Sequence, residues 1–169
     1  MDRQGAWLET PVTESQDDSD GDGKYDWLYV DVPVNVTSPG LFTLEASLYE
    51  TEWSTEGNGL SSGRATSSGN ETELGAGLNI VRIAFNGPQI NLSGIDGYTA
   101  EVVVRDNDWN PLDTRKFKLS DHNSTDFDKP DIKPTAPRHT FGPVDTDFDR
   151  LYNLLLFNAT LQVLAEGNY

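Results

Sequence analysis

The sequence predicts an all-β protein, an antiparallel β-sandwich of immunoglobulin-like or jelly-roll-like kind, and three observations predict it. Apolar residues recur at every second position through the first 120 residues, the period of a half-buried strand, while helical spacing is nearly absent. Short clusters of Gly, Pro, Asn, Asp and Ser punctuate these runs, as turns between short strands do. With 36% hydrophobic and 10% aromatic residues, a chain of 169 residues can pack a core, which a disordered acidic tail cannot.

The first clear strand is "WLYVDVPVNV" (27–36), with Leu28, Val30, Val32, Val34 and Val36 on one face; Pro33 suggests a sheet edge or a bulge there. "SPG" then turns the chain into "LFTLEASLYE" (41–50), so the two strands are expected to form a hairpin. The stretch 51–74 is rich in Gly, Ser, Thr and Asn and is expected to be mostly loop, with at most a short edge strand. "LNIVRIAFNG" (78–87), "YTAEVVVRD" (98–106) and "TRKFKLS" (114–120) complete the strand set. From about Asp121 four prolines and dense charge read as a linker or an extended stretch lying across the domain.

Upstream of the first strand, "DDSDGDGKYD" (17–26) places five Asp in ten residues. With Asp18 at position 1 of a calcium loop, Asp20, Asp22, the Lys24 carbonyl and Asp26 fall at positions 3, 5, 7 and 9, and Gly23 supplies the sharp turn at position 6. Carboxylates at such spacing repel, by about 4 kcal/mol for unit charges about 4 Å apart at a dielectric of 20; a divalent ion reverses the sign. Hard oxygen donors without His or Cys favour Ca²⁺. Position 12 is Tyr29 rather than Glu, and a strand follows where a helix pair would need a helix, so Asp17, Asp31 or an acid from a distant loop must complete the shell.

The same pattern returns near the C-terminus. "DTDFDRLYNLLLFNATLQVLAEGNY" (145–169) aligns without a gap on residues 18–42 at an offset of 127, matching Asp18, Asp20, Asp22, Tyr25, Leu28, Val36 and Gly40. This is an internal repeat. The expected division is a calcium-binding sandwich over 1–127, a Pro-rich linker over 128–144 and the truncated start of a second repeat over 145–169. Asp145, Asp147, Asp149, the Leu151 carbonyl and Asn153 would form a weaker second site, because Arg150 stands where Gly23 stands in the first. The apolar segment 154–164 is expected to pair with the first domain's sheet or, by strand addition, with a neighbouring repeat or protomer.

The formal net charge of −16 leaves no basic face for nucleic acid or for an anionic membrane, and no stretch approaches a membrane span or a signal peptide. The chain has no Cys, which excludes disulfides and zinc–thiolate sites. Five N-x-S/T sequons, at Asn35, Asn70, Asn91, Asn123 and Asn158, point weakly to an exported glycoprotein. His122 and His139 stand in no recognisable nucleophile setting, so no catalytic residue is expected. Trp7, Trp27, Trp53 and Trp109 could stack on sugars or simply pack; Trp53 and Trp109 lie in expected loops.

The run from "DSDGDGKYDWLYVDVPVNVTSPGLFTLEASLY" through "GIDGYTAEVVVRDNDWN" resembles a β-sandwich repeat of secreted and cell-surface proteins of archaea and some bacteria, and its acidic loop resembles the DxDxDG loops of dockerin and thrombospondin type 3 repeats. The resemblance implies an extracellular, calcium-stabilised module of adhesion or surface-layer type, with Asp18, Asp20, Asp22 and Asp26 as carried-over ligands. The alternative is a carbohydrate-binding module or a non-catalytic accessory domain of a secreted hydrolase or protease, with cell-surface glycans as partners.

Overall fold

The computed structural model describes residues 5–50, 64–144 and 154–164, which fall into two compact units, Met1–Lys129 and Pro130–Tyr169. Unit 1 is a sandwich of two antiparallel sheets. In the first, β3 (Trp27–Val36) pairs along its whole length with β6 (Gly77–Asn86) on one side; its other side is shared by β1 (Ala6–Leu8), against Val34–Val36, and β2 (Thr13–Asp17), against Trp27–Asp31. The second sheet has the order β5-β4-β7-β8, with β4 at Gly40–Glu50, β5 at Arg64–Leu74, β7 at Tyr98–Arg105 and β8 at Pro111–Lys118.

Strict alternation explains the packing. Leu28, Val30, Val32 and Val34 of β3 meet Leu44, Ala46 and Leu48 of β4, Tyr98, Ala100, Val102 and Val104 of β7, and Val81, Ile83 and Phe85 of β6 in one buried core. Pro33 sits inside β3, where its carbonyl accepts the Glu9 N–H (2.8 Å). The N–H and C=O of one strand residue point to the same side, so its missing donor faces the gap between β1 and β2, where none is required.

Several expectations are corrected. β3 and β4 do not form a hairpin: the short connection carries the chain from one sheet to the other, and each strand pairs elsewhere. No residue from 37 to 40 takes the left-handed conformation that a three-residue hairpin loop uses. The stretch after residue 63 is no loop but the eleven-residue β5, in which the alternate residues Thr66 and Leu74 are buried; register with β4 overrides its polar composition. One helix, α1 (Gly87–Ser93), was not expected. Asn86 caps it by accepting the Gln89 N–H (3.2 Å), a proline stands in its first turn, and Gly94 closes it in the left-handed region.

Unit 2 holds a two-stranded antiparallel hairpin, β9 (Ile132–Val144) and β10 (Leu154–Val163). Most of the expected linker is therefore strand, and β10 finds its partner in β9, which the sequence reading did not name. Of the prolines of β9, Pro137 falls in the unpaired stretch at the register shift between Ala159 and Leu161, while Pro134 and Pro143 stand opposite Leu161 and Leu155, and among the described residues β9 pairs on one side alone.

Gly87, just after β6, lies against the backbone that leads into β3: an added Cβ would lie 2.1 Å from the Tyr25 carbonyl oxygen and 2.7 Å from that of Asp26. Backbone cannot move aside as a flexible side chain can. Gly87→Ala is expected to destabilise unit 1 by about 2 kcal/mol or more, read as a lowered urea midpoint.

Candidate metal centre

The acidic loop hangs between two paired strand ends. Asp17 and Trp27 face each other across β2 and β3, and the Asp26 N–H donates to the Asp17 carbonyl (2.8 Å), closing the base of the loop. Two glycines turn it, Gly21 at φ 76° and Gly23 at φ 87°, in a region that side chains with a Cβ rarely enter. Each carboxylate then accepts main-chain donors. Asp18 takes the N–H of Gly21 (2.8 Å) and of Gly23 (3.0 Å), Asp20 takes that of Asp22 (3.1 Å), and Asp22 takes that of Lys24 (2.8 Å).

The result brings together Asp18, Asp20 and Asp22. One carboxylate oxygen of each lies within 4.8 Å of the others, all three residues are exposed, and the group could hold a metal ion. Its donors are all carboxylate oxygens, which suits a hard cation.

Other expected ligands are placed differently. Asp26 lies outside this trio: its carboxylate accepts the Ser19 N–H (2.6 Å) and shares a hydrogen bond with Asp128. Lys24 gives its N–H to Asp22, and its ammonium donates to the Thr125 carbonyl (2.7 Å). Asp31 is not available, because Arg82 grips both of its oxygens at 2.8 and 2.7 Å on the outer sheet face and holds its pKa below the ordinary value. Asp17 accepts the Ser19 hydroxyl (2.8 Å). The second acidic loop, Asp145, Asp147, Asp149, Leu151 and Asn153, lies outside the described residues.

An acid from a distant segment, Asp128, approaches the loop. The segment 123–128 is stitched to the loop by Tyr25 N–H to the Asp126 carbonyl (3.0 Å), Asp128 N–H to the Tyr25 carbonyl (3.1 Å) and a parallel bridge between Tyr25 and Phe127. Phe127 is 1% exposed and packs edge-on to Tyr25, Tyr98 and His122. Two further contacts hold the segment: the Asn91 amide donates to the Ser124 and Phe127 carbonyls (3.1 and 3.0 Å), and Asp96 accepts from the Ser124 N–H (2.6 Å) and hydroxyl (2.9 Å). Asp128 thus faces the loop. Partial burial, the hydrogen bond with Asp26 and the charges of Asp22, Asp26 and Asp20 push its carboxyl up to about 6. Asp26 moves the other way, held low first by the Ser19 N–H and then by Asp128. Nothing in the local sequence around Asp128 signals this; its only mark is that it follows Phe127, the apolar residue that anchors the segment.

The remaining sequence candidates sort by environment. The Asn91 amide is engaged with two carbonyls, so this sequon differs from Asn70, which is exposed on β5, and from Asn35, half-buried on β3. Asn123 caps a 3-10 turn through Asp126, and the Asn158 side chain lies outside the described set. Trp27 packs parallel to Tyr29, over which Arg82 sits at 5.1 Å. The Trp7 indole donates to Glu9. Trp109 is 63% exposed, with φ 65°, at the tip of the β7–β8 turn, whose backbone is fixed by Asp106 accepting from Asp108 and Asn110. Trp53 lies outside the described residues. His122 sits between Glu14 (3.2 Å) and Gln16 (3.2 Å), joining β2 to the segment after β8; the side chain of His139 is outside the description.

No family model matches the chain, and no curated protein matches it. Solved structures with partial similarity include β-glucosidases from Kluyveromyces marxianus (11% identity, TM-score 0.34, 69% of this chain and 14% of that one), from Thermotoga neapolitana (β-glucosidase 3B; 13%, 0.34, 68% and 17%) and from Paenibacillus barengoltzii (13%, 0.34, 91% and 18%). The chain spans less than a fifth of the length of these structures.

A carboxyl whose pKa is raised on folding stabilises the fold while it is protonated. That contribution is fully present below the ordinary value of 3.8 and is lost as pH rises through about 6. Without divalent cations the chain is therefore expected to lose stability across this window, and Asp128→Asn to flatten the loss. Urea midpoints measured against pH in chelator check it; an unaltered slope in the variant contradicts the assignment.

Proposed function

We propose that the chain is an extracellular, calcium-stabilised structural or interaction module of a repeat protein, of adhesion or surface-layer type. The observation that carries the reading is the Asp18, Asp20 and Asp22 group, held by the β2–β3 loop next to the Asp26–Asp128 pair. Five carboxyl groups converge there, and a divalent cation turns their mutual repulsion into cohesion. Calcium suits the donor set because it accepts many oxygen ligands in flexible geometry, where magnesium demands a tight octahedron. Full exposure of the trio fits a site of modest affinity, of the order of 10⁻⁴ to 10⁻³ M, the range of extracellular modules. The resemblance to secreted repeats and the sequons support the same location.

The cation's task in this reading is mechanical. The loop is sewn to residues 123–128, so fixing the loop fixes the segment through which the chain leaves unit 1. A ligand that binds only the folded state adds RT ln(1 + [L]/Kd), about 2.7 kcal/mol at a hundredfold excess over Kd. Chelation is expected to lower the melting temperature by about 10 °C relative to saturating calcium. Asp20→Asn with Asp22→Asn should abolish the calcium increment while leaving the chelated melting temperature unchanged or raised. A melting curve indifferent to thorough chelation overturns the site.

Trp109 favours the second reading, a carbohydrate-binding or accessory module. A large indole left 63% exposed in a left-handed conformation, on a turn fixed by hydrogen bonds, is a costly arrangement that a sugar-stacking platform would explain. Retention on a glycan array that Trp109→Ala removes would establish it; no retention on any glycan leaves the structural module as the reading.

A further inference from the structure

We infer that the β9–β10 hairpin reproduces the β1–β2–β3 part of unit 1, and that the free edge of β10 docks a strand of β6 type. The inference rests on the repeat relationship within the proposed module and is independent of the cation.

Strand register carries it. Displaced by 127 positions, β3 (Trp27–Val36) falls end to end on β10 (Leu154–Val163). The pair Asp17 and Trp27 becomes Val144 and Leu154, and Thr13 with Asp31 becomes Thr140 with Asn158; both are observed pairs. Beyond the register shift the first strand's offset is 126. Leu8 with Val34, Trp7 with Asn35 and Ala6 with Val36 then become Pro134 with Leu161, Lys133 with Gln162 and Ile132 with Val163, again all observed. The hydrogen bond from Thr37 N–H to the Gly5 carbonyl (2.9 Å) has its counterpart in Leu164 N–H to the Asp131 carbonyl (2.6 Å). The single extra residue falls between the two halves, where unit 1 has residues 9–12 between Leu8 and Thr13 and unit 2 has 135–139 between Pro134 and Thr140, of which His139 is paired with Ala159; each stretch contains a proline, Pro11 and Pro137. Matching composition does not generate coincident pairing of this extent.

The equivalence defines what β10 lacks. In β3 the Pro33 carbonyl accepts the Glu9 N–H (2.8 Å), and just past the strand's end the Thr37 N–H donates to the Gly5 carbonyl (2.9 Å), both on the β1 side. Odd-numbered residues of β3 thus face β1 and β2, and even-numbered ones face β6. On β10 the parity reverses. Leu164 N–H turns toward β9, so Leu155, Phe157, Ala159, Leu161 and Val163 present their N–H and C=O groups at the other edge. In unit 1 that edge is covered over ten residues by β6. Among the described residues β10 pairs with β9 alone. An open edge flanked by an apolar strand is a template for strand addition. Its occupant is a ten-residue antiparallel strand with apolar residues at alternate places, as in "GLNIVRIAFN" of β6.

The experiment adds a synthetic peptide of residues 77–86 to the full chain and reads amide hydrogen exchange residue by residue, with and without chelator. Saturable protection of at least tenfold at Leu155, Phe157, Ala159, Leu161 and Val163, in both conditions, supports the assignment. Ala159→Pro removes one edge-facing N–H while leaving the β9 side intact, and should abolish the protection. A peptide carrying Ile83→Pro should fail in the same way, and this control needs no change to the protein. The assignment is overturned if millimolar peptide protects nothing. It is equally overturned if the edge amides are already protected in the dilute free chain, or become protected with rising chain concentration alone, which would make the occupant this chain itself or a second copy. Loss of the calcium increment in melting leaves these outcomes unchanged, so the two readings fail separately.

Discussion

Repulsion between carboxylates is the constraint around which unit 1 is arranged at one end. Five acids gather where β2 passes into β3, and β3 is the most deeply buried strand of the first sheet. The main chain offsets part of the repulsion by itself: the N–H groups of Gly21, Gly23, Asp22 and Lys24 each point at a carboxylate, and the Lys24 ammonium is anchored nearby on the Thr125 carbonyl. Where that supply ends, protonation takes over. Asp26 and Asp128 share a hydrogen bond and split their acidities, one held low and the other raised to about 6, the response of two carboxyls too close for both to ionise freely.

That tension is held in place by packing. Tyr25 and Asp26 lie against Gly87, the first residue of α1, with no room for a Cβ, and Gly87 N–H donates to the Asp26 carbonyl. On the other side Phe127 is buried among Tyr25, Tyr98 and His122. The loop therefore has fixed ends and an exposed middle, so a cation bound there would act on a preorganised base, with little ordering entropy left to oppose it.

What the sequence showed of this followed from periodicity. Alternation revealed β3, β4, β6 and β7 close to their true limits, because half-buried strands write their faces into every second residue. Alternation specifies faces and not neighbours, so β3 and β4 read as a hairpin although they belong to opposite sheets. Strands with little to bury were invisible. Among the described residues β5 is an edge strand and β9 pairs on one side alone, which accommodates the polar composition of the first and the prolines of the second. The helix was signalled only by its ends, Asn86, Pro88 and Gly94, since seven residues are too few to show a period. The acidic loop was legible because its ligand spacing is local. Asp128 was not, because its place beside the loop is created by the burial of Phe127 and by hydrogen bonds between segments far apart in the chain.

Under the proposed function, the direction of the chain through unit 1 bears on what the acidic loop would do. Ala6 pairs with Val36, at the end of β3 farthest from the loop, while Phe127 bridges to Tyr25, at the loop itself. The chain thus enters the sandwich at one end and leaves it at the other, about ten strand residues or roughly 33 Å away. A module of the proposed kind, traversed in this way, would carry tension along its length instead of returning it to the same end. Tension on the departing segment pulls first on the hydrogen bonds joining residues 126 and 128 to Tyr25. Asp128 stands at that junction with its carboxyl turned toward the loop, so a cation shared by the loop acids and Asp128 would load the core through β3 rather than peel the segment away. Under that reading, binding and mechanical integrity would be one interaction.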